Sequence, residues 1–191
     1  MTFAVGVLGA VAVARGSYAS MLVGALLFQL NSILDGVDGE LARVRFQESK
    51  LGEWIDTVSD DLCNVLFYVG MAIGAAGHGP WWLPLLGYGA AIAAAGTMVF
   101  YYAELVRLGR GDFYALSWDT GSPSGFGARV VAIFVLVLKK DLFIFLFVIA
   151  AALGVLPFTL PVVFAATLVT LGAGIVRTVR GGLARRRAAV E

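Results

Sequence analysis

Long apolar stretches, separated by short polar or turn-forming segments, determine what this chain can fold into. They fall at about residues 1–14, 17–38, 53–76, 81–106, 141–156 and 158–176. A helix that crosses a bilayer needs about 20 apolar residues. Only 14% of the residues are charged, against roughly 25% in a soluble domain. Apolar stretches of this length and low charge predict an all-α integral membrane protein with six transmembrane helices.

The ends of the chain set the expected domain organisation. Residues 1–14 are apolar but short for a span, so we expect the chain to begin inside its first helix. A missing upstream segment, either a soluble domain or an interfacial helix, is compatible with that expectation. The N-terminal stretch shows no basic n-region and no convincing cleavage site, so we do not predict a signal peptide. Residues 1–191 show no long repeat and no composition break, which predicts a single membrane domain.

Basic residues indicate the orientation of the six predicted spans. Thirteen of the 14 lie on one side, in the second connection, the fourth connection and the C-terminal tail, and only Arg15 lies on the other. Cytoplasmic loops are enriched in Lys and Arg. The N-terminus and the second connection are therefore predicted to be cytoplasmic.

The segment before the fifth span permits two interpretations. A continuous helix from residue 128 to 156 would place Lys139, Lys140 and Asp141 well inside the bilayer, which is costly. An interfacial helix at about 125–138, followed by the fifth span, avoids that cost. We therefore predict the interfacial helix.

Four aspartates, Asp35, Asp38, Asp56 and Asp60, lie where the second apolar stretch ends and the third begins. Carboxylates near a bilayer need a positive partner, and hard oxygen ligands suit a divalent ion. In a helix, residues three or four apart share one face. Since consecutive helices with a short connection run antiparallel, the two faces are expected to converge on one or two divalent ions.

The residues between the aspartates favour phosphoryl chemistry. Gly39 and Gly52 permit close approach of a backbone or ligand, and Ala42 is small. Arg43 can bind a phosphate in forked geometry. One carboxylate, most naturally Asp60, would remain to accept a proton from an attacking hydroxyl.

Other reactive residues are scarce. The chain has one histidine, in a Gly/Pro-rich connection, which excludes a histidine-based triad and a multi-histidine metal site. Its one cysteine, Cys63, is expected to be a small buried core residue.

The aspartate segment resembles the signature of the CDP-alcohol phosphotransferases, D-x-x-D-G-x-x-A-R-x8-G-x-x-x-D-x-x-x-D. Every fixed position is filled across residues 35–60, with eight residues between Arg43 and Gly52. The resemblance implies an enzyme that moves a phosphoalcohol group from a CDP-linked donor to an acceptor hydroxyl and releases CMP. It also implies a homodimer among membrane lipids, Mg²⁺ or Mn²⁺ as cofactor, and no nucleic-acid partner.

The same resemblance implies roles for individual residues. Metal ligands would be Asp35, Asp38, Asp56 and Asp60, with Asp60 acting as ligand, general base or both. The residues that would surround the nucleotide are Asp38, Gly39, Ala42, Arg43 and Gly52, with Arg43 on a CDP phosphate. Family chains commonly carry an interfacial segment and a Pro-Asn element before the first span, which this chain lacks.

The sequence around the motif suggests which acceptor is used. Residues 32–43 look most similar to the branch that joins CDP-inositol to inositol phosphate, the di-myo-inositol phosphate phosphate synthases. Asp61 departs from that branch, which often has arginine there. The alternative is a phospholipid synthase that uses a CDP-linked lipid, similar to phosphatidylinositol-phosphate synthases. An anionic acceptor would need cations near the aspartates, and the candidates are Arg107, Arg129, Lys139 and Lys140. The alternative is that these residues only set the membrane topology.

A divalent-cation transporter is the competing function from another class. Transporters tend to place ion-binding carboxylates near the bilayer midplane, often on broken helices. Here the carboxylates are expected at a helix–loop boundary, where Arg43 would repel a permeating cation. A catalytically inactive family member is a further alternative, against which the complete motif argues.

Overall fold

A computed structural model describes residues 2–45, 50–77, 79–108 and 140–188 of the chain. Within these ranges all the regular structure is helical. The helices are α1 (Thr2–Ala14), α2 (Tyr18–Val44), α3 (Lys50–Ala75), α4 (Trp82–Leu108), α5 (Lys140–Ala152) and α6 (Leu160–Ala188), with a 3₁₀ turn at Leu156–Thr159 before α6. The all-α prediction is confirmed for the described residues.

Four segments of these ranges are long and apolar enough to cross a membrane: Tyr18–Leu41, Trp54–Ala75, Trp82–Ala103 and Leu156–Val176. The apolar parts of α1 and α5, Thr2–Ala14 and Leu142–Ala152, are shorter. The count of six spans therefore stays a prediction. The interfacial helix expected at about 125–138 lies outside the described residues.

Helices α2 and α3 extend beyond their apolar stretches. Helix α2 continues to Val44 and α3 begins at Lys50, so each motif aspartate lies six to ten residues inside a helix. The expectation of a helix–loop boundary is wrong, because hydropathy marks where lipid ends and not where the helix ends. Glu, Leu, Ala and Arg after Gly39 are strong helix formers, and they carry the helix past the apolar boundary.

The first turn of the bundle reverses the chain between α1 and α2. Gly16 adopts a φ of 77°, a left-handed conformation that glycine enters at little cost. The Ser17 hydroxyl accepts a hydrogen bond from the Ser20 backbone N–H at 3.3 Å, which caps the start of α2. Tyr18 then donates to the Ala152 carbonyl at 2.9 Å and fixes the end of α5 beside the start of α2.

Helix α1 lies between α2 and α3 and packs closely against both, whereas α2 and α3 make little backbone contact with each other. Glycines allow this approach. A Cβ on Gly24 of α2 would meet the Gly9 carbonyl oxygen of α1, and a Cβ on Gly70 of α3 would meet backbone atoms of Ala10. Helix α1 therefore fixes the spacing of α2 and α3 and leaves a gap between them.

The remaining helices enclose this unit. Helix α4 packs against α3 and α6, and α5 packs against α2. One apolar core cluster runs through the described helices, and Phe28, Phe67 and Leu160 in it are almost fully buried.

Candidate active site

Stacked aromatic rings join α2 and α3 across the gap. The rings of Phe28 and Phe67 lie 4.0 Å apart with an interplanar angle of 10°. Phe147 of α5 packs on Phe67 with ring centroids 5.5 Å apart. These three rings close the gap on its membrane side and fix how the two helices face each other.

The aromatic pair also indicates how Asp35 and Asp60 are related. Asp35 is seven residues after Phe28, and Asp60 is seven residues before Phe67. Seven residues are almost two whole turns and rise about 10 Å, so each aspartate shares a helix face with its phenylalanine. Because the two rings face each other, this spacing predicts that Asp35 and Asp60 point towards the same gap at about the same depth.

The other two aspartates lie nearer the connection between α2 and α3. Asp56 is one turn before Asp60 on the same face of α3, and Asp38 is three residues after Asp35 on α2. Asp35 and Asp60 are half-buried, whereas Asp38 and Asp56 are exposed. The acidic gap thus opens towards the α2–α3 connection and closes towards the phenylalanine rings.

The donor chemistry of the gap fits a hard divalent ion, since four carboxylates supply oxygen ligands. Among the described residues, however, no three Asp, Glu, Cys or His side chains are clustered so that they could hold a metal ion. Convergence of the two acidic faces on one gap is thus an inference from helix spacing, and the described side chains do not form a coordination shell. No coordination geometry follows from it.

The glycine and arginine positions of the motif can be placed only in part. Gly39 is exposed on α2, and a Cβ there would meet nothing within 4 Å. Packing within the described chain therefore does not require glycine at this position, which leaves room for a ligand. Ala42 and Arg43 lie in the last turns of α2, Gly52 lies in the first turn of α3, and the side chains of Ala42 and Arg43 are not described.

The cations predicted to bind the acceptor are only partly within the described chain. Arg107 lies at the end of α4 and Lys140 begins α5, and the side chains of both are undescribed. Arg129 and Lys139 lie outside the described residues. All four assignments stay predictions.

A polar layer beneath the aspartates was not anticipated from the sequence. Asn31 is one turn before Asp35 on α2 and is 3% exposed. Its Oδ1 has no hydrogen-bond partner among the described residues. The absence of a Cβ on Gly6 makes room for Asn31 and for Cys63, and Cys63 is buried as predicted. The sequence signal for this layer is an amide inside an apolar stretch, four residues before a motif aspartate.

Comparison with known proteins agrees with the family that the aspartate motif resembles. The sequence profile of the CDP-alcohol phosphatidyltransferase family matches residues 1–171. Four curated relatives carry the name "bifunctional IPC transferase and DIPP synthase". The chain is 33% identical to that of Thermococcus kodakarensis over 108 residues, covering 56% of this chain and 23% of the relative.

Two of the others match a shorter segment. Identity to the protein of Aquifex aeolicus is 37% over 73 residues, covering 38% of this chain and 16% of the relative. Identity to that of Rubrobacter xylanophilus is 41% over 75 residues, covering 39% and 16%. The chain thus matches less than a quarter of the length of these relatives.

Proposed function

Because the chain belongs to the CDP-alcohol phosphatidyltransferase family, we propose that it transfers a phosphoalcohol group from a CDP-alcohol to an acceptor hydroxyl. The acceptor oxygen forms a bond to the phosphorus that carries the alcohol, the bond from that phosphorus to CMP breaks, and CMP leaves. The observation that carries this proposal is the stacking of Phe28 on Phe67, which by helix spacing supports an opposed Asp35 and Asp60 within a complete family signature.

The proposed roles follow the position of each side chain. Asp60, half-buried at the inner part of the gap, accepts the proton of the attacking hydroxyl. Asp35, Asp38 and Asp56, with Asp60, would hold Mg²⁺ or Mn²⁺, which when bound neutralises phosphate charge. The open surface at Gly39, together with Asp38, Ala42, Arg43 and Gly52, accommodates the cytidine nucleotide, with Arg43 on a phosphate.

For the substrates, we propose CDP-inositol as donor and an inositol phosphate as acceptor. The support is twofold: the sequence around the motif is similar to the di-myo-inositol phosphate phosphate synthase branch, and the curated relatives are named DIPP synthases. The acceptor phosphate would bind the cations Arg107, Arg129, Lys139 and Lys140. A CDP-linked lipid is the alternative donor.

The cellular setting is part of the same proposal. The distribution of basic residues supports an active site that faces the cytoplasm in a multi-pass membrane protein. The apolar helices would contact membrane lipids directly, and the family expectation is a homodimer.

The reverse reaction tests the proposed chemistry. Purified protein incubated with Mg²⁺, CMP and di-myo-inositol phosphate phosphate is expected to form CDP-inositol, detected by mass spectrometry. Chelating the divalent ions with EDTA should lower this rate by at least about 100-fold, since metal ions stabilise phosphoryl charge by several kcal/mol. Restored Mg²⁺ should restore the rate.

The outcomes separate the candidate functions. Turnover with a phosphatidyl product in place of the inositol product would identify a phospholipid synthase. If folded protein shows no CMP-dependent turnover with either product, the proposed phosphotransferase activity is contradicted.

Gly39 provides a test of the nucleotide site. Gly39→Ala is expected to leave the melting temperature unchanged, because its new methyl group meets no neighbour within 4 Å. It should raise the KM for CMP by about tenfold, as one extra methyl group in a fitted site does. Gly36→Ala is the matched control, since Gly36 lies on the same helix in equally open space but at a variable position of the motif. If both variants raise the KM for CMP equally, the assignment of the nucleotide site to Gly39 is wrong.

A further inference from the structure

Helix α3 carries a second polar face in the segment that bears Asp56 and Asp60. Trp54, Thr57 and Asp61 recur at intervals of three and four residues, so they share one side of the helix. Asp61 is rotated from Asp60 by about 100°, the angle of one residue. Helix spacing directs Asp56 and Asp60 towards the gap with α2, whereas this second face packs on Tyr102 of α4.

Tyr102 of α4 contacts all three members of this face. Its hydroxyl donates a hydrogen bond to Asp61 Oδ2 at 2.8 Å and lies 3.5 Å from the Thr57 carbonyl oxygen. Its ring meets Trp54 edge-on, with ring centroids 5.7 Å apart. Tyr101, which is buried, completes a small cluster with Trp54 and Tyr102 that is separate from the main core.

The proposed chemistry does not use these residues. Their positions alternate along α3 with those that it does use: Asp56 precedes Thr57, and Asp60 precedes Asp61. A rotation of this segment about its axis would therefore break the contacts with Tyr102 and turn Asp56 and Asp60 out of the gap together. The Phe28–Phe67 stack holds α3 two turns beyond Asp60, but α2 and α3 otherwise make little backbone contact. Tyr102 therefore adds a restraint on the segment that carries the aspartates.

We propose that Tyr102 and Asp61 form a positioning pair that fixes the rotation of α3 and so directs Asp60 at the acceptor hydroxyl. The inference rests on the proposed function, since it concerns the geometry of that reaction. A hydrogen bond to a charged group is stronger than a neutral one, and it gains further strength where water is scarce. A carboxylate in this segment also needs a partner, which the Tyr102 hydroxyl supplies.

The test removes the hydroxyl without changing the ring. Tyr102→Phe is expected to lower kcat for the CMP-dependent reaction by about tenfold and to leave the KM for CMP within about twofold, because misplacing a catalytic group by about 1 Å slows the chemical step. Tyr88→Phe is the matched control, since Tyr88 lies on α4, is 41% exposed and is far from Asp61. The control should retain wild-type kinetics.

A second substitution separates positioning from direct participation. Asp61→Asn keeps an oxygen that can accept from Tyr102, whereas Asp61→Ala does not. Asp61→Asn should therefore retain several times the kcat of Asp61→Ala, and adding Asp61→Ala to Tyr102→Phe should cost little more. If Asp61→Asn is as inactive as Asp61→Ala, the carboxylate acts directly and the positioning role is wrong.

The remaining outcomes distinguish failure of this inference from failure of the proposed function. A Tyr102→Phe enzyme with unchanged kcat, or one that loses only melting temperature, overturns the inference while the wild-type turnover still supports the proposed function. Absence of turnover in the wild-type protein would overturn the proposed function itself.

Discussion

Asp60→Asn is expected to lower CMP-dependent turnover by at least about 1,000-fold, within the range of about 10²- to 10⁴-fold that general base catalysis supplies. The amide has nearly the same shape as the carboxylate but cannot accept the proton of an attacking hydroxyl. Asp60 is half-buried, ten residues inside α3, whereas Gly39 is exposed on α2. Initial rates with saturating CMP and product measure the loss.

Nucleotide binding provides the control for this variant. The nucleotide is assigned to the outer part of α2, so the Kd of CMP should change by no more than about threefold, less than 1 kcal/mol. The melting temperature in detergent should stay close to that of the wild-type protein. An Asp60→Asn enzyme with substantial turnover would show that another group accepts the proton.

Gly70→Ala is expected to destabilise the protein by about 1–3 kcal/mol, the usual result of overpacking a core. A Cβ at this position would meet the carbonyl oxygen, carbonyl carbon and Cα of Ala10, and backbone atoms cannot move aside as a flexible side chain can. Helix α1 must then separate from α3. Because α1 sets the spacing of α2 and α3, turnover should fall together with the melting temperature.

Gly172→Ala is the matched control for Gly70→Ala. A Cβ on Gly172 of α6 meets nothing within 4 Å, and alanine is the better helix former, so stability should be equal or slightly higher. Both variants can be compared by thermal unfolding in one detergent. Equal stability of the two variants would contradict the close packing of α1 on α3.

Local sequence patterns were sufficient to predict the helices and the acidic faces. Apolar stretches of membrane length predicted an all-helical chain, and the spacing of Asp56 and Asp60 predicted one shared face on α3. The helix ends could not be read from the same signal. Hydropathy falls after residue 38, but α2 continues to Val44 because its last residues are polar helix formers.

The relation between the helices could not be predicted, because it depends on contacts between distant parts of the chain. Sequence order suggested that α2 and α3 pack as direct neighbours. In the structure α1 lies between them, because Gly24 and Gly70 admit its backbone. The hydrogen bond between Tyr102 and Asp61 joins residues 41 positions apart, and no pattern within either helix predicts it.

Binding of Mn²⁺, followed by electron paramagnetic resonance, tests most directly whether α2 and α3 act on common ions. The purified protein should bind Mn²⁺ without substrate turnover. Asp35→Asn on α2 and Asp56→Asn on α3 should each weaken that binding at least about tenfold, since even residues that only support a ligand contribute about 10- to 100-fold. The double variant should bind little more weakly than either single one. Unchanged Mn²⁺ affinity in both single variants would contradict a metal site shared by the two helices.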